Sequence, residues 1–262
     1  MEFLSQFAAL DLFWIGLSLF LIGMSKGGFP VGAVALPILI LVWPVQAQAA
    51  RESVGFMLPM LCLMDVVALV IYWRHVQWGR LIYLIPSALL GVAIASFLFV
   101  SDEAMVAVSD RALKMLIGLL GILFVGYFAA KKWVLRHIRA AEPNWTKGSA
   151  FGFTAGMTST LAHAAGPVMQ MYLLPQHLDK KKFAATSCAF FWGLNLIKLL
   201  PFSLMGRIQV ENLKLGAVLL PVVPLGVAFG WWLTHRTRQR HYTILIYTVL
   251  LITSITLIFK AL

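Results

Sequence analysis

Five stretches of this chain run for about 20 residues each with almost no charge: Val54 to Tyr72, Leu81 to Val100, Ala112 to Ala130, Ala184 to Leu204 and Leu215 to Leu233. A sixth, Tyr242 to Phe259, follows them. At about 1.5 Å per residue, an apolar helix of that length crosses a hydrocarbon core of about 30 Å. Water is the wrong solvent for such a chain: 61% of its 262 residues are hydrophobic and 12% charged, against roughly 45–50% and ~25% in soluble domains. In lipid each backbone polar group must find its partner inside the chain, so the spans are expected to be helices and the fold an all-α polytopic membrane protein. The opening Met1-Glu2-Phe3-Leu4-Ser5 lacks the basic region and cleavage site of a secretory signal, so the first apolar run is expected to stay.

Two regions break the pattern. Between Leu12 and Val42 the apolar run is cut by Ser25-Lys26-Gly27-Gly28-Phe29-Pro30, and between Ala150 and Leu174 by the segment from Thr158 to Pro167. The pieces on either side, about 8 to 14 residues, make helices of roughly 12 to 21 Å, short of a crossing. Each region therefore reads as a re-entrant helical hairpin with its tip near the bilayer midplane. Two full spans, with Lys26 snorkelling to the headgroups, is the competing reading of the first.

Each half then runs hairpin, span, span, span. Gly23-Met24-Ser25 answers Gly156-Met157-Thr158, Gly28 to Pro37 answers Gly166 to Pro175, and Pro86 to Gly91 answers Pro221 to Gly226. The change of offset between the first two matches makes the second tip the longer. Three crossings per half turn the halves opposite ways. Residues 1–130 are thus expected to form one inverted repeat, 131–147 a cytoplasmic basic linker and 148–262 the other repeat.

The formal charge of +11 would point to nucleic acid in a soluble protein, but here the charges fall into loops. Arg74 to Arg80 carries a net +2, Lys131 to Lys147 +4, Asp179 to Lys182 +2 and Arg236 to Arg240 +3, while the alternate loops and ends together carry −1. The positive-inside rule puts the four basic loops in the cytoplasm of a bacterial inner membrane and both termini in the periplasm. Trp73, Trp78, Trp133, Trp145, Trp231 and Trp232 cluster near span ends as interface anchors.

Three permanently charged residues interrupt the apolar regions: Lys26 at the first tip, Asp65 within its span and Lys198 in the corresponding span of the second half. Charges in hydrocarbon are costly and mark sites or pathways. Lys26, Ser25, Gly27 and Gly28 precede a helix expected to start near Val31, whose free N–H groups and positive dipole end suit an oxyanion. The second tip supplies Thr158, Ser159 and Thr160 hydroxyls, the imidazole of His163 and a helix start at Gly166-Pro167. Asn195 and Lys198 share a helix face three residues apart. Asp65 is either the ion-pair partner of Lys198 or a direct participant in substrate or proton binding, and it is also a carboxylate that could offset the burial of Lys26, as an anionic substrate or snorkelling would. Cys62 and Cys188 lie inside apolar segments as small core residues, and no spacing calls for a metal or a cofactor.

These residues resemble the sulfite exporter TauE/SafE family. The first tip, Gly23 to Phe29 with Pro37 following, is similar to that family's first glycine-rich motif. Gly156 to Pro167, then Tyr172-Leu173-Leu174-Pro175-Gln176, Thr186, Phe190-Phe191, Asn195, Lys198 and Pro201, resemble the second motif and its surroundings in one bacterial subgroup. Ala165 departs from the glycine expected before Gly166-Pro167. The resemblance implies export or exchange of small sulfur-containing anions, such as sulfite or short organosulfonates.

Together these features predict a secondary transporter, most readily an exporter, whose partners are a small anion and membrane lipid. A passive anion channel is the alternative. A membrane enzyme is disfavoured by the lack of HExxH, GxSxG or paired His ligands, and an ATP-driven pump by the missing P-loop. The charge pattern makes a direct prediction: a reporter active only in the cytoplasm, fused after Leu262, stays silent, and activity there would show the span count to be wrong.

Overall fold

The computed structural model describes residues 7–29, 31–100, 110–137, 142–176, 178–236 and 240–262, and among these all regular structure is helical. Helix α1 (Ala9–Lys26) and helix α2 (Ala35–Val42) are separated by a tip that passes through a 3-10 turn at Gly32–Val34. Next, α3 (Ala49–Tyr72) continues as a 3-10 turn to His75, and a short α4 (Trp78–Leu81) leads into α5 (Ile85–Val100). After α6 (Asp110–His137) come α7 (Trp145–Ala162), α8 (Gly166–Leu173) and α9 (Lys180–Leu204). Finally α10 (Val210–Val218) meets α11 (Val222–Arg236) at a bend of 55°, and α12 (Arg240–Ala261) follows.

Three described helices are long and apolar enough to cross a membrane, Ala9–Lys26, Ala49–His75 and Lys181–Leu204, with α10 and α11 a fourth if that bent pair counts as one span. Both interrupted regions differ from expectation here. Their first arms exceed the expected 8 to 14 residues, with 18 residues in α1 and 18 in α7, while α2 and α8 have 8 each. As helix these are about 27 Å and about 12 Å.

The tips are also reversed in length. Residues 27–34 separate α1 from α2, but only 163–165 separate α7 from α8. The reason is local: Gly27-Gly28 stops α1, with Gly28 at φ +98°, a conformation that costs glycine nothing. Thr158, Ser159 and Thr160, read from sequence as tip residues, instead form the last turns of α7, and the helix ends only when His163 turns left-handed at φ +48°. The helix expected near Val31 begins as the 3-10 turn and becomes α-helical at Ala35.

Two other spans are broken where the sequence reading had them continuous. The turn at 82–84 precedes α5, whose second residue is Pro86, and the turn at 219–221 ends in Pro221 just before α11. Proline has no N–H to give the preceding turn and is at home in the first turn of the next helix. Polar caps open other helices: the Asp11 carboxylate accepts from the Ala8 N–H at 3.0 Å, Asn144 from Lys147 at 2.9 Å, and Asp179 from Lys182 at 2.9 Å.

Four helix pairs dominate the packing: α1 with α11, α5 with α7, α3 with α9 and α6 with α12. Small residues set the first two. Gly23 and Gly27 face Gly226 and Gly230, and a methyl at Gly27 would fall on the backbone of Val227, Gly230 and Trp231. Gly148, Gly152 and Gly156 do the same against Tyr83, Leu84 and Ala88. In lipid, where apolar surface gains nothing by leaving its solvent, such close backbone approach is a main source of helix association. The packed interior includes Leu39, Met57, Met64 and Phe202, while Val70, Phe97, Leu204 and Phe259 point outward. Trp73, Trp78, Trp145, Trp231 and Trp232 are exposed, as anchors would be; the side chain of Trp133 lies outside those described.

Replacing Gly230 by Ala should lower the thermal stability of the purified protein by about 1–3 kcal/mol, the usual cost of overpacking. Gly126→Ala, where the added methyl meets nothing within 4 Å, should leave the melting temperature unchanged or raise it. Equal behaviour of the two variants in a detergent melt would refute the account of this interface.

Candidate functional site

The end of α1 and the end of α7 come together over α3 and α9, and a cavity of about 130 Å³ lies between them. One water needs roughly 10–15 Å³ of such space, so a small polyatomic ion has room. Ser25, Lys26, Ser159, His163, Gly166 and Asn195 line it, as do Gln170 of α8 and Phe191 of α9; Ile117, Leu120 and Phe124 of α6 close one side.

Lys26 turns inward, into the protein. Its side chain is 10% exposed and its Nζ lies 2.6 Å from Oδ1 of Asp65, which is fully buried. The ammonium also sits 4.8 Å from the centre of the Phe191 ring, a cation–π contact. The second carboxylate oxygen of Asp65 accepts from Asn195 Nδ2 at 2.7 Å, and the Cys188 thiol approaches the carboxylate at 3.7 Å. Asp65 is therefore the ion-pair partner of Lys26, and the pair with Lys198, one of the readings open from sequence, is not formed. From α9 it is Asn195 that reaches Asp65; Lys198, one turn further on, is carried past the carboxylate toward the second tip.

Lys198 is wholly buried. Its Nζ donates to the Ser159 carbonyl at 3.0 Å and meets Ser159 Oγ at 2.8 Å and His163 Nδ1 at 3.2 Å. On the far side of the imidazole, Nε2 lies 2.9 Å from the Val54 carbonyl of α3. A carbonyl can only accept, so Nε2 carries the proton and Nδ1 receives a hydrogen from Lys198. His163 is thus a neutral strut between α3 and α9 and has no N–H left for a ligand. Its left-handed backbone, unfavourable for a residue with a Cβ, is held by these two bonds and by the Ala164 N–H donating to the Thr158 carbonyl at 3.1 Å.

The remaining sequence candidates are placed away from the cavity. Thr158 and Thr160 turn their hydroxyls back to the carbonyls of Thr154 and Gly156, at 2.8 and 2.9 Å, as helix-interior hydroxyls do. Gly27 abuts the α11 backbone, and its carbonyl accepts from the Tyr72 hydroxyl at 2.9 Å. Gly27 thus packs against α11 and Gly28 forms the turn. By contrast, a Cβ at Gly166 would meet nothing within 4 Å, so the start of α8 is open. Sequence reasoning missed Gln170, a lone polar side chain in the apolar run of α8, and Tyr72, which looked like a span terminus. Among the described residues no group of three or more His, Cys, Asp or Glu gathers as a metal site.

The model of the sulfite exporter TauE/SafE family matches residues 15–257, nearly the whole chain. No curated protein and no solved structure matches it.

The buried pair makes a testable demand. Asp65→Asn strands an ammonium in the interior and should cost about 3–5 kcal/mol of stability. In the double variant Lys26→Met with Asp65→Asn, part of that loss should return, because the stranded charge is gone. Strictly additive losses across the cycle of detergent melts would mean the pair is not coupled.

Proposed function

Since the chain belongs to the sulfite exporter TauE/SafE family, we propose that it is a secondary carrier, working as an exporter, of a small sulfur-containing oxyanion bound in the cavity between the two helix tips. The multi-pass membrane character fits that family's transport role. The observation that carries the reading is the lining itself: an ammonium at Lys26, hydroxyls at Ser25 and Ser159, amides at Asn195 and Gln170 and the open start of α8 at Gly166. Such donors around one cavity suit sulfite or a short sulfonate, whose oxygens accept hydrogen bonds from several directions. The return of about 12 Å in α2 or α8 is too short to recross the bilayer, which supports reading each interrupted region as a re-entrant hairpin.

The inverted repeat belongs to the same proposal. Exchanging the halves turns the α1–α11 contact into α7–α5 and leaves α3–α9 and α6–α12 as self-pairs, which is the set of dominant contacts. Setting Cys62 to Val70 against Trp192 to Leu200 makes Asp65 and Asn195 equivalent positions, and these two are hydrogen-bonded to each other at 2.7 Å, as residues beside a pseudo-two-fold axis would be. Residues 1–130 and 148–262 are then the two repeats and 131–147 the basic linker. Rocking of one hairpin against the other about that axis would expose the cavity to each side in turn.

Purified protein in liposomes preloaded with unlabelled sulfite should accumulate labelled sulfite transiently above equilibrium. Flux without that overshoot would identify a channel, and flux no faster than protein-free liposomes for sulfite and methanesulfonate alike would sink the proposal.

A further inference from the structure

Around the cavity the charges do not cancel. Lys26 and Asp65 neutralise one another at 2.6 Å, but Lys198 is wholly buried and its partners among the described residues, Ser159 and His163, are neutral. An ammonium left in the interior without a counter-charge is expensive, so the group either sheds its proton or shares its burial with an anion.

The hydrogen bonds around Lys198 show how those two states differ at the cavity wall. The Ser159 carbonyl can only accept, and His163 Nδ1 can only accept because Nε2 gives its proton to the Val54 carbonyl. Those two partners fix two N–H bonds of Lys198 in either protonation state. The third direction belongs to the Ser159 hydroxyl, 2.8 Å away, which alone can accept or donate. When Lys198 is an ammonium, Ser159 Oγ accepts from it and the hydroxyl hydrogen is free to turn into the cavity that Ser159 lines. When Lys198 is a neutral amine, its lone pair takes that hydrogen, and Ser159 presents only oxygen to the cavity.

We infer that the carrier proposed above takes up a proton with its substrate, that Lys198 holds this proton, and that the Ser159 hydroxyl converts it into a donor aimed at the anion. The inference rests on the carrier reading and narrows its substrate class to a singly charged oxyanion, hydrogen sulfite or a sulfonate. A single negative charge balances protonated Lys198, so the loaded site is neutral, and the empty site is neutral once the proton leaves. A doubly charged anion would leave the loaded site with a net charge to move through a medium of low dielectric. The other titratable groups on the elements around Lys198 are accounted for separately. Lys26 of α1 and Asp65 of α3 are tied to each other, His163 has its proton fixed by Val54, and the Cys62 and Cys188 thiols are buried.

Sulfite binding to the purified protein, followed by calorimetry in paired buffers of different ionisation heat from mildly acidic to alkaline pH, tests this. The proton sulfite itself exchanges is known from its free titration and is the same for every variant. Wild type should take up about one further proton per sulfite at alkaline pH, and its affinity should fall about tenfold per pH unit beyond the anion's own titration. Lys198→Gln, permanently neutral, and Lys198→Arg, permanently charged, should both lose that extra proton, Arg binding the more tightly at alkaline pH. Wild type taking up no extra proton, or either folded variant keeping it, overturns the inference alone. Absence of sulfite binding at every pH would overturn the carrier reading and this inference with it.

Discussion

The Lys26–Asp65 pair is the contact on which the rest of the site depends. It joins the end of α1 to the middle of α3, and through Asn195 it draws in α9, so three elements far apart in sequence are held at one carboxylate. In hydrocarbon neither charge is tolerable alone. The position of the first tip is therefore set by electrostatic necessity as well as by packing. With Lys26 fixed against Asp65 and Phe191, its remaining N–H groups stand at the edge of the cavity with no freedom to follow solvent outward.

A second, mirrored attachment holds the other tip. Lys198 and His163 bind α9 to the end of α7 and, through Val54, to α3. Both tips are thus hung on the same two helices, α3 and α9, while their long arms are clamped at the glycine faces of α11 and α5. Motion of a tip relative to its clamp would have to act on the polar contacts, because backbone packed on backbone has no slack. This arrangement concentrates any switch in the hydrogen bonds around the cavity.

Much of the fold was legible because its causes are local. Apolar stretches of span length report the solvent whatever their neighbours do, and the glycine pair at 27–28 ends a helix by its own conformational freedom. Reading went astray where a local rule met a tertiary one. Thr158 to Thr160 looked like loop because hydroxyls favour turns, yet α7 continues through them, bonding each Thr hydroxyl to its own backbone. His163 lines the cavity as its place in a polar tip suggests, but nothing along the chain signalled that it also ends a helix in a left-handed turn and braces two others.

Residue types along the chain determined that it lives in lipid as helices, that two regions are interrupted by polar and glycine-rich segments, and that Lys26, Asp65 and Lys198 had to find company, because hydrophobicity, helix rise and the cost of a buried charge are properties of short segments. Which charge met which was decided only in three dimensions. Asp65 faced two lysines, Lys26 at the end of α1 and Lys198 on α9, and position along the chain did not choose between them. The choice followed from how α3 and α9 pack, since a carboxylate pairs with the ammonium that the fold delivers within about 3 Å and not with one a helical turn beyond it.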